Sequence, residues 1–452
     1  MAKQSTSKRK KRMTTLQVLN ERAGGLDVGS EKIHVSVAGD RPRVFGTMTP
    51  DLHKLRDWLL EQKVETVALE ATGIYWLPVY EVLERTKIKP IVVHGRHVKN
   101  LPGRKTDMSD CQWLATLHVH GLLRGGFVPE NSIRELQDYM RLRSDHISMA
   151  SAHIQHVQKA LERMNVKVHD VISRITGVSG LAIVRAILAG ERDPARLAGL
   201  ADPSVLARKG ARLVDALQGQ WRPEHLFALR HAFELWEFYQ TKIVECDQAV
   251  AALLQKMNEN RPPAPPASGP RKPLRGPNVP QIEKLNESLR QLCGGVDVSQ
   301  LPGIGDYSAL LLVSEVGTDL SRWPTAKHFT AWLGLAPSSH QSGKRRGRVS
   351  RQRNRAGRTF CTIARSLAKS TDKALGGFYR RLKGRRGGLI ANQALARKIA
   401  ELYWRAFVKG LQHVESGLAA YQEKLHQQEK RVAEKLAAKM GCRLVPITTV
   451  HG

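Results

Sequence analysis

Apolar positions in this chain keep two different periods in two different places. Residues 24–37 (GGLDVGSEKIHVSV) read as an apolar strand carrying Asp27, a Gly-Ser turn and an alternating partner strand. A third short strand is expected at 43–47 and a helix at 51–62, just after Pro50. A buried strand at 64–70 ends on Glu70 and is broken by Ala71-Thr72-Gly73; a helix at 74–85 and a further strand at 89–94 follow. From Ile133 the period changes. Ile133, Leu136, Met140, Ile147, Ala150, Ile154, Val157, Leu161 and Met164 form a heptad seam whose one break is Arg143, and Trp236, Tyr239, Ile243, Cys246, Val250, Leu253 and Met257 form a second. Two readings stand: two core helices of one bundle, or an antiparallel helical hairpin that dimerises. Between the seams, 173–223 is helical with breaks at Asp193-Pro194 and Asp202-Pro203, and its role cannot be read from the pattern.

Residues 261–280 are Pro/Gly-rich and basic, with six prolines from Pro262 to Pro273, the composition of an extended linker. Beyond them Leu301-Pro302-Gly303-Ile304-Gly305 leads into an apolar helix at 310–316, and a short helix stops at Gly334. A basic amphipathic helix at 354–369, a basic run at 378–388 with Tyr379, a helix at 392–408 with Tyr403 and Trp404, and a charged helix at 417–440 complete the chain. The opening order of three antiparallel strands, helix, strand, helix, strand is that of an RNase H-like (RuvC-like) domain. The fold expectation is therefore α/β plus all-α. It comprises a basic arm (1–22), the RNase H-like domain (23–128), a helical coiled-coil region (129–260), the linker (261–280), a mainly helical C-terminal domain with a helix-hairpin-helix-like motif (281–412), and a C-terminal helix and tail (413–452).

Charge narrows the partners. The chain carries 72 Lys and Arg against 41 Asp and Glu, a net +31, which calls for a polyanion, nucleic acid before acidic membrane. No stretch approaches the ~18 apolar residues of a membrane span, and the basic start lacks the apolar core of a signal peptide. Five scattered cysteines without a CxxC speak against zinc or a disulfide frame and fit a reducing cytoplasm.

Against that basic background the acids stand out. Asp27 lies inside the first strand and Glu70 ends the fourth; Asp107 and Asp110 open a helix three residues apart, on one face. Four converging carboxylates suit a hard divalent cation, Mg²⁺ or Mn²⁺, and a metal pair can clamp both oxygens of a phosphoryl transfer. Each acid has a plainer alternative: Asp27 shaping a turn, Asp107 capping a helix. Glu70 is the hardest to explain otherwise, since a carboxylate on an apolar strand is costly without a partner. Leu26-Asp27-Val28-Gly29-Ser30 also resembles the first phosphate loop of sugar kinases and actin-like ATPases; the second loop those enzymes need is missing, which argues against ATP.

The C-terminal candidate is a serine. From Gln341 to Gly388 there are sixteen Lys/Arg and one acid, Asp372. A serine alkoxide can hold a cut phosphodiester covalently, given cations to stabilise the attacked phosphate. Among Ser338, Ser339 and Ser342, the last is favoured because Gly343 permits close backbone approach; the plainer reading is a serine that only contacts phosphate. Lys344, Arg345, Arg346, Arg348, Arg351, Arg353, Arg355 and Arg358 would track the backbone rather than read bases. Gly303 and Gly305 form the hairpin that presents N–H groups to a phosphate, unless that hairpin is simply a tight turn.

Taken together, Gly25-Leu26-Asp27-Val28-Gly29, Leu69-Glu70-Ala71-Thr72-Gly73, Lys105-Thr106-Asp107-Met108-Ser109-Asp110, Leu301-Pro302-Gly303-Ile304-Gly305, Trp332-Leu333-Gly334-Leu335-Ala336-Pro337 and Gln341-Ser342-Gly343-Lys344 resemble, in order, a known family. These are the RuvC-like DEDD transposases of insertion sequences with a C-terminal serine, bridge-RNA-guided DNA recombinases. The resemblance implies a Mg²⁺-binding DEDD quartet of Asp27, Glu70, Asp107 and Asp110 and a Ser342 nucleophile that forms a covalent phosphoserine link. It also implies donor and target DNA paired by a structured guide RNA, and a homodimer that assembles into a tetramer in the bacterial cytoplasm, at the nucleoid. The alternative is a metal-dependent DNA junction endonuclease without a covalent serine intermediate.

Overall fold

A computed structural model describes residues 17–70, 73–95, 107–266, 276, 278–337, 340–342, 345–347, 352–369 and 374–443, of which 107–109, 340–342, 345–347, 415, 416, 418, 421 and 425 are described as backbone only. The chain divides into two compact units, Met1–Val128 and Pro129–Gly452.

In the first unit the strands are β1 (Ala23–Val28), β2 (Lys32–Val37), β3 (Arg43–Gly46), β4 (Thr66–Glu70) and β5 (Lys89–Val93), and the helices are α1 (Thr49–Glu61), α2 (Trp76–Glu84) and α3 (Asp107–Val119). They form one mixed sheet in the order β3-β2-β1-β4-β5, with β2 antiparallel to β1 and β3, and β4 parallel to β1 and β5. The period of two decides what each face does. Leu26, Val28, Ile33, Val35, Val67 and Leu69 share a core with Leu52, Leu55 and Leu59 of α1 and Val79 and Leu83 of α2. On the opposite face Ala68 and Val93 pack against Leu114 and Leu117 of α3. The strands at 43–47, 64–70 and 89–94 are found, each one or two residues shorter than the pattern suggested, and the helix expected at 74–85 begins at Trp76.

The second unit is mostly helical. Its frame is α4 (Asn131–Arg163) against α9 (Pro223–Asn258). They run antiparallel: Arg143 meets Asp247, and further along α4 His153 stacks on Tyr239. Both seams are largely buried: Ile133, Leu136 and Met140 with Ile243, Cys246, Val250 and Leu253 in one stretch, and Val157 and Leu161 in a core with Leu229 and Phe233 in the other. Arg143, the break in the first seam, is as buried as its apolar neighbours, its side chain 1% exposed.

Between the long helices in sequence lie α5 (Val168–Val171), α6 (Val178–Ala189), α7 (Pro194–Gly199) and α8 (Pro203–Ala216), whose Ile183, Val184, Ile187, Leu197 and Leu213 share a core with Val157 and Leu161 of α4 and Leu229 and Phe233 of α9. Asp193-Pro194 and Asp202-Pro203, which read as breaks, are helix starts. Each aspartate accepts a capping bond, Asp193 from the Ala195 and Arg196 N–H groups and Asp202 from the Ser204 N–H, and each proline takes the first turn. The chain enters and leaves this group of helices side by side: the Lys167 N–H donates to the Ala216 carbonyl at 2.8 Å and the Gln220 N–H to the Met164 carbonyl at 2.7 Å.

The remainder comprises α10 (Leu285–Leu292), a 3₁₀ turn (Val298–Gln300), α11 (Asp306–Val316), α12 (Ala326–Trp332), the two-stranded β6 (His340–Ser342) and β7 (Arg345–Gly347), α13 (Arg355–Ala368), α14 (Leu375–Arg386), α15 (Gly388–Lys409) and α16 (Leu411–Lys439). The basic run at 378–388 is thus mostly helix, and the charged tail helix starts six residues earlier than its charge pattern suggested. An aromatic centre of Phe329, Phe360 and Tyr403 holds α12, α13 and α15 together, with ring centroids 5.6 to 6.4 Å apart.

Candidate active site and nucleic-acid groove

Gly25 is where the first unit's site is built. A Cβ there would lie 2.3 Å from the Ala115 nitrogen and 2.5 Å from the Cys111 carbonyl oxygen, so α3 crosses β1 backbone to backbone. Asp27, two residues on, faces the same side as Gly25. Parallel register pairs Leu26 with Leu69, which sets Asp27 opposite Glu70 at the C-terminal ends of neighbouring strands. Asp110 precedes Cys111 on the helix that covers this face. Burial, reinforced by the charges of Asp27 and Asp110, pushes the Cys111 thiol up to about 11. One thiol thus feels two of the four carboxylates. Glu70 is backed by bare main chain: a Cβ on Gly95 would sit 2.2 Å from its Oε1.

Strand register and the helix crossing therefore place Asp27, Glu70 and Asp110 on the same face of the unit. Asp107 opens the same helix, and its side chain lies outside the described residues. The donor set is all oxygen, the chemistry Mg²⁺ or Mn²⁺ requires. Deeper on that face His118 is buried, with Nε2 2.9 Å from Thr66 Oγ1, and burial lowers its pKa to about 4. Among the described residues, the three ligand atoms that come within reach of one another belong instead to Glu162, His169 and Asp170 of the second unit; Asp27, Glu70 and Asp110 share a face without that closeness. Lys167 already pairs with Glu162 there and, foremost among the causes, holds its carboxyl below the usual range, so this cluster is read as ion pairing.

In the second unit, Ser342 ends β6 directly across from Arg345, and Gln341 pairs with Arg346. Gly343, Lys344, Arg348 and Arg351 lie outside the described residues, as do Ser338 and Ser339. Both bases of the excursion that carries this hairpin are anchored. On one side the Leu335 and Ala336 N–H groups donate to the Thr330 carbonyl, and Gly334 has φ 75° with the Gln352 carbonyl 2.8 Å from where its Cβ would be. On the other, Asn354 caps α13, accepting from the Gly357 N–H at 2.8 Å and donating to the Trp332 carbonyl at 3.3 Å.

Gly303 takes φ 79° in the turn before α11 and rests on Ile363 and Leu367 of α13, while Gly305 is the N-cap of α11. This turn borders a groove of about 510 Å³ lined by Arg141, Ser144 and Asp145 of α4, Gly303, Tyr307 and Ser308, and Arg355, Arg358, Thr359 and Thr362 of α13. Of the ten positions expected to contact nucleic acid, Gly303, Arg355 and Arg358 line it. Arg353 is exposed nearby in sequence, and the backbone of Arg345 and Arg346 forms β7.

The residues that set the groove's walls were not evident from the sequence. Arg141 Nε and Nη2 donate to the two Glu315 oxygens at 3.1 and 2.9 Å. Arg143 donates to Asp247 Oδ1 at 2.6 Å, to the Tyr307 hydroxyl at 3.0 Å and to the Asn278 carbonyl at 3.1 Å; the Gln281 N–H donates to Asp247 Oδ2 at 3.0 Å. The coiled coil is thereby tied to the helix that follows the Gly303 turn. The one visible signal was the charged residue in an otherwise apolar seam.

Residues 24–166 match a family model described as DEDD_Tnp_IS110, transposase, and residues 297–380 match one described as transposase, IS116/IS110/IS902 family. A probable family 20 transposase of Pseudomonas aeruginosa is 33% identical over 109 residues, which is 23% of this chain and 32% of that protein. The match thus spans about a third of the curated relative's length.

Proposed function

From the two IS110-type transposase domains that this chain carries in sequence, we propose that it is an insertion-sequence transposase that cuts and rejoins DNA using both. The observation that carries this reading is placement: the carboxylates lie within one matched segment and Ser342 within the other. The first unit is read as an RNase H-like fold, on its strand order and on the acids at the ends of β1 and β4.

In this reading Asp27, Glu70, Asp107 and Asp110 hold Mg²⁺, which would stabilise charge on the attacked phosphate. The Ser342 hydroxyl attacks phosphorus; an Oγ–P bond forms as the bond to the leaving deoxyribose oxygen breaks. The serine proton passes to a general base and the leaving oxygen takes up a proton, giving a phosphoserine ester and a free hydroxyl end. Rejoining is the reverse, with a different strand's hydroxyl as attacker. Arg345 and its basic neighbours offset the added charge, and the groove beneath the Gly303 turn holds a neighbouring length of backbone. A structured guide RNA pairing donor with target DNA would account for a basic surface with little base readout. Two copies assembling into four would let one chain's carboxylates serve another's serine. No described helix is long and apolar enough to cross a membrane, and the proposed setting is the bacterial cytoplasm, on nucleoid DNA.

Denaturing electrophoresis with element-end DNA, co-expressed RNA and Mg²⁺ tests the proposal. A slow, protease-sensitive band should form, vanish in Ser342→Ala and vanish on chelation. An adduct persisting in Ser342→Ala would sink the serine assignment. Mg²⁺-dependent cuts without any adduct would instead favour the junction endonuclease, with Ser342 contacting phosphate only.

A further inference from the structure

The tip between α14 and α15 presents two aliphatic side chains to water: Leu389 is 91% exposed and Ile390 55%. No other large apolar residue among the described ones is as exposed as Leu389. The two residues follow Gly387, at φ 84°, and Gly388, and they occupy the first turn of a 22-residue helix that no side chain caps. Their surroundings are cationic. Lys383, Arg385 and Arg386 close α14, all exposed, and Arg380 and Arg381 precede them. Between Asp372 and Glu401 the sequence holds no acid.

We infer that Leu389 and Ile390 form a wedge that enters a DNA base step, with Lys383, Arg385 and Arg386 gripping the flanking phosphates. The argument rests on two features that coincide. A tip that follows exposed cations, with no acid near it along the chain, is complementary to a polyanion, and a backbone held by those cations would run past it. Exposed aliphatic residues at such a place are what kinking proteins insert between bases. A lipid surface is the other polyanionic option, but membrane-seated helices offer a long apolar face; here the next residues of α15, Ala391, Leu395 and Ala396, are buried in the protein. Strand exchange needs bases unstacked locally, so the wedge would serve the start of that exchange. This inference rests on the DNA-recombining reading above.

The test uses the full chain with its co-expressed RNA and an element-end duplex carrying 2-aminopurine at successive pyrimidine–purine steps. Wild type should raise the 2-aminopurine emission on binding. Leu389→Ala/Ile390→Ala should lose that rise while its Kd by fluorescence anisotropy changes by less than about tenfold. Arg385→Ala/Arg386→Ala should weaken binding and reduce the slope of log K against log salt by about two. An emission rise that survives in the double aliphatic variant overturns the wedge, as does wild-type binding without any rise, and both leave the transposase reading standing. Failure of wild type to bind DNA overturns wedge and transposase reading together. Leu389-dependent co-sedimentation with phosphatidylserine vesicles, with no 2-aminopurine response, overturns the wedge in favour of a lipid surface.

Discussion

Replacing Asp247 by Asn keeps the shape of the Arg143 site and removes its negative charge. The guanidinium is 1% exposed and the carboxylate 2%, so solvent screens almost nothing. Breaking such a pair by removing one partner costs about 3–5 kcal/mol, because the survivor stays buried and uncompensated. Arg143 would keep the Tyr307 hydroxyl and the Asn278 carbonyl as neutral acceptors, which places the cost near the lower limit, about 3 kcal/mol. The second unit has roughly 320 residues. At about 2.1 cal/mol/K per residue its unfolding entropy is roughly 0.7 kcal/mol/K, so its thermal midpoint should drop by about 4–5 °C. Differential scanning calorimetry of the full chain would read this. Arg143→Met/Asp247→Leu should return to within about 1 kcal/mol of wild type or exceed it, since packed apolar residues replace buried pairs without loss. A midpoint for Asp247→Asn within about 1 °C of wild type, or a double variant whose loss is simply the sum of the two single losses, would refute the assignment of stability to this pair.

Four further outcomes are expected. Gly25→Ala should destabilise the first unit by about 1–3 kcal/mol and reduce Mg²⁺-dependent DNA cutting more than DNA binding, because the helix carrying Asp110 must back away; unchanged cutting would contradict the close crossing. His118 is held neutral with its pKa depressed to about 4 from 6.5, so its contribution is complete above pH 6.5 and lost as pH falls from there toward 4. The loss is up to about 3 kcal/mol, and acid unfolding of His118→Asn should lack it. Tyr403→Phe should match or raise wild-type stability by roughly 1 kcal/mol in chemical denaturation, because the Tyr403 hydroxyl is buried with no hydrogen-bond partner among the described residues. Under native conditions iodoacetamide should label Cys442, the exposed thiol, and spare Cys111 and Cys293, whose thiols burial pushes up to about 11 and about 12; mass spectrometry counts the adducts.

Periodicity made the frame legible. The succession of strands and helices in the first unit and both long helices follow from periods of 2 and 3.5, and Glu70 stood out as a candidate because a carboxylate ending an apolar strand needs a reason. Helices of four to fourteen residues between the seams were less readable, since each is too short to show a period and their aspartate caps look like interruptions. Arg143 was visible as an anomaly, but its partner lies 104 positions away and nothing local marks Asp247 as the match. The groove and the Leu389 tip were invisible for another reason: exposure and enclosure belong to packing among distant helices. Ser342 can be placed on its hairpin by the backbone, while the assignment of its chemistry still rests on the covalent test.

The adjacent entry and exit of α5–α8 have a consequence for how this chain changed over time and for how it can be engineered. Because two short-range bonds join the incoming and outgoing backbone, the segment between behaves as a cassette plugged into the end of a lever. Such a cassette should accept added length in its outer turns without shifting the register of the two long helices, provided that the residues packed on Val157, Leu161, Leu229 and Phe233 are kept. Grafting a folded tag between residues 190 and 193 should therefore report on the far end of the arm while Arg143, Asp247 and Tyr307 stay in place. Diversity among relatives should accumulate at this end, where a new module alters reach and leaves the chemistry alone.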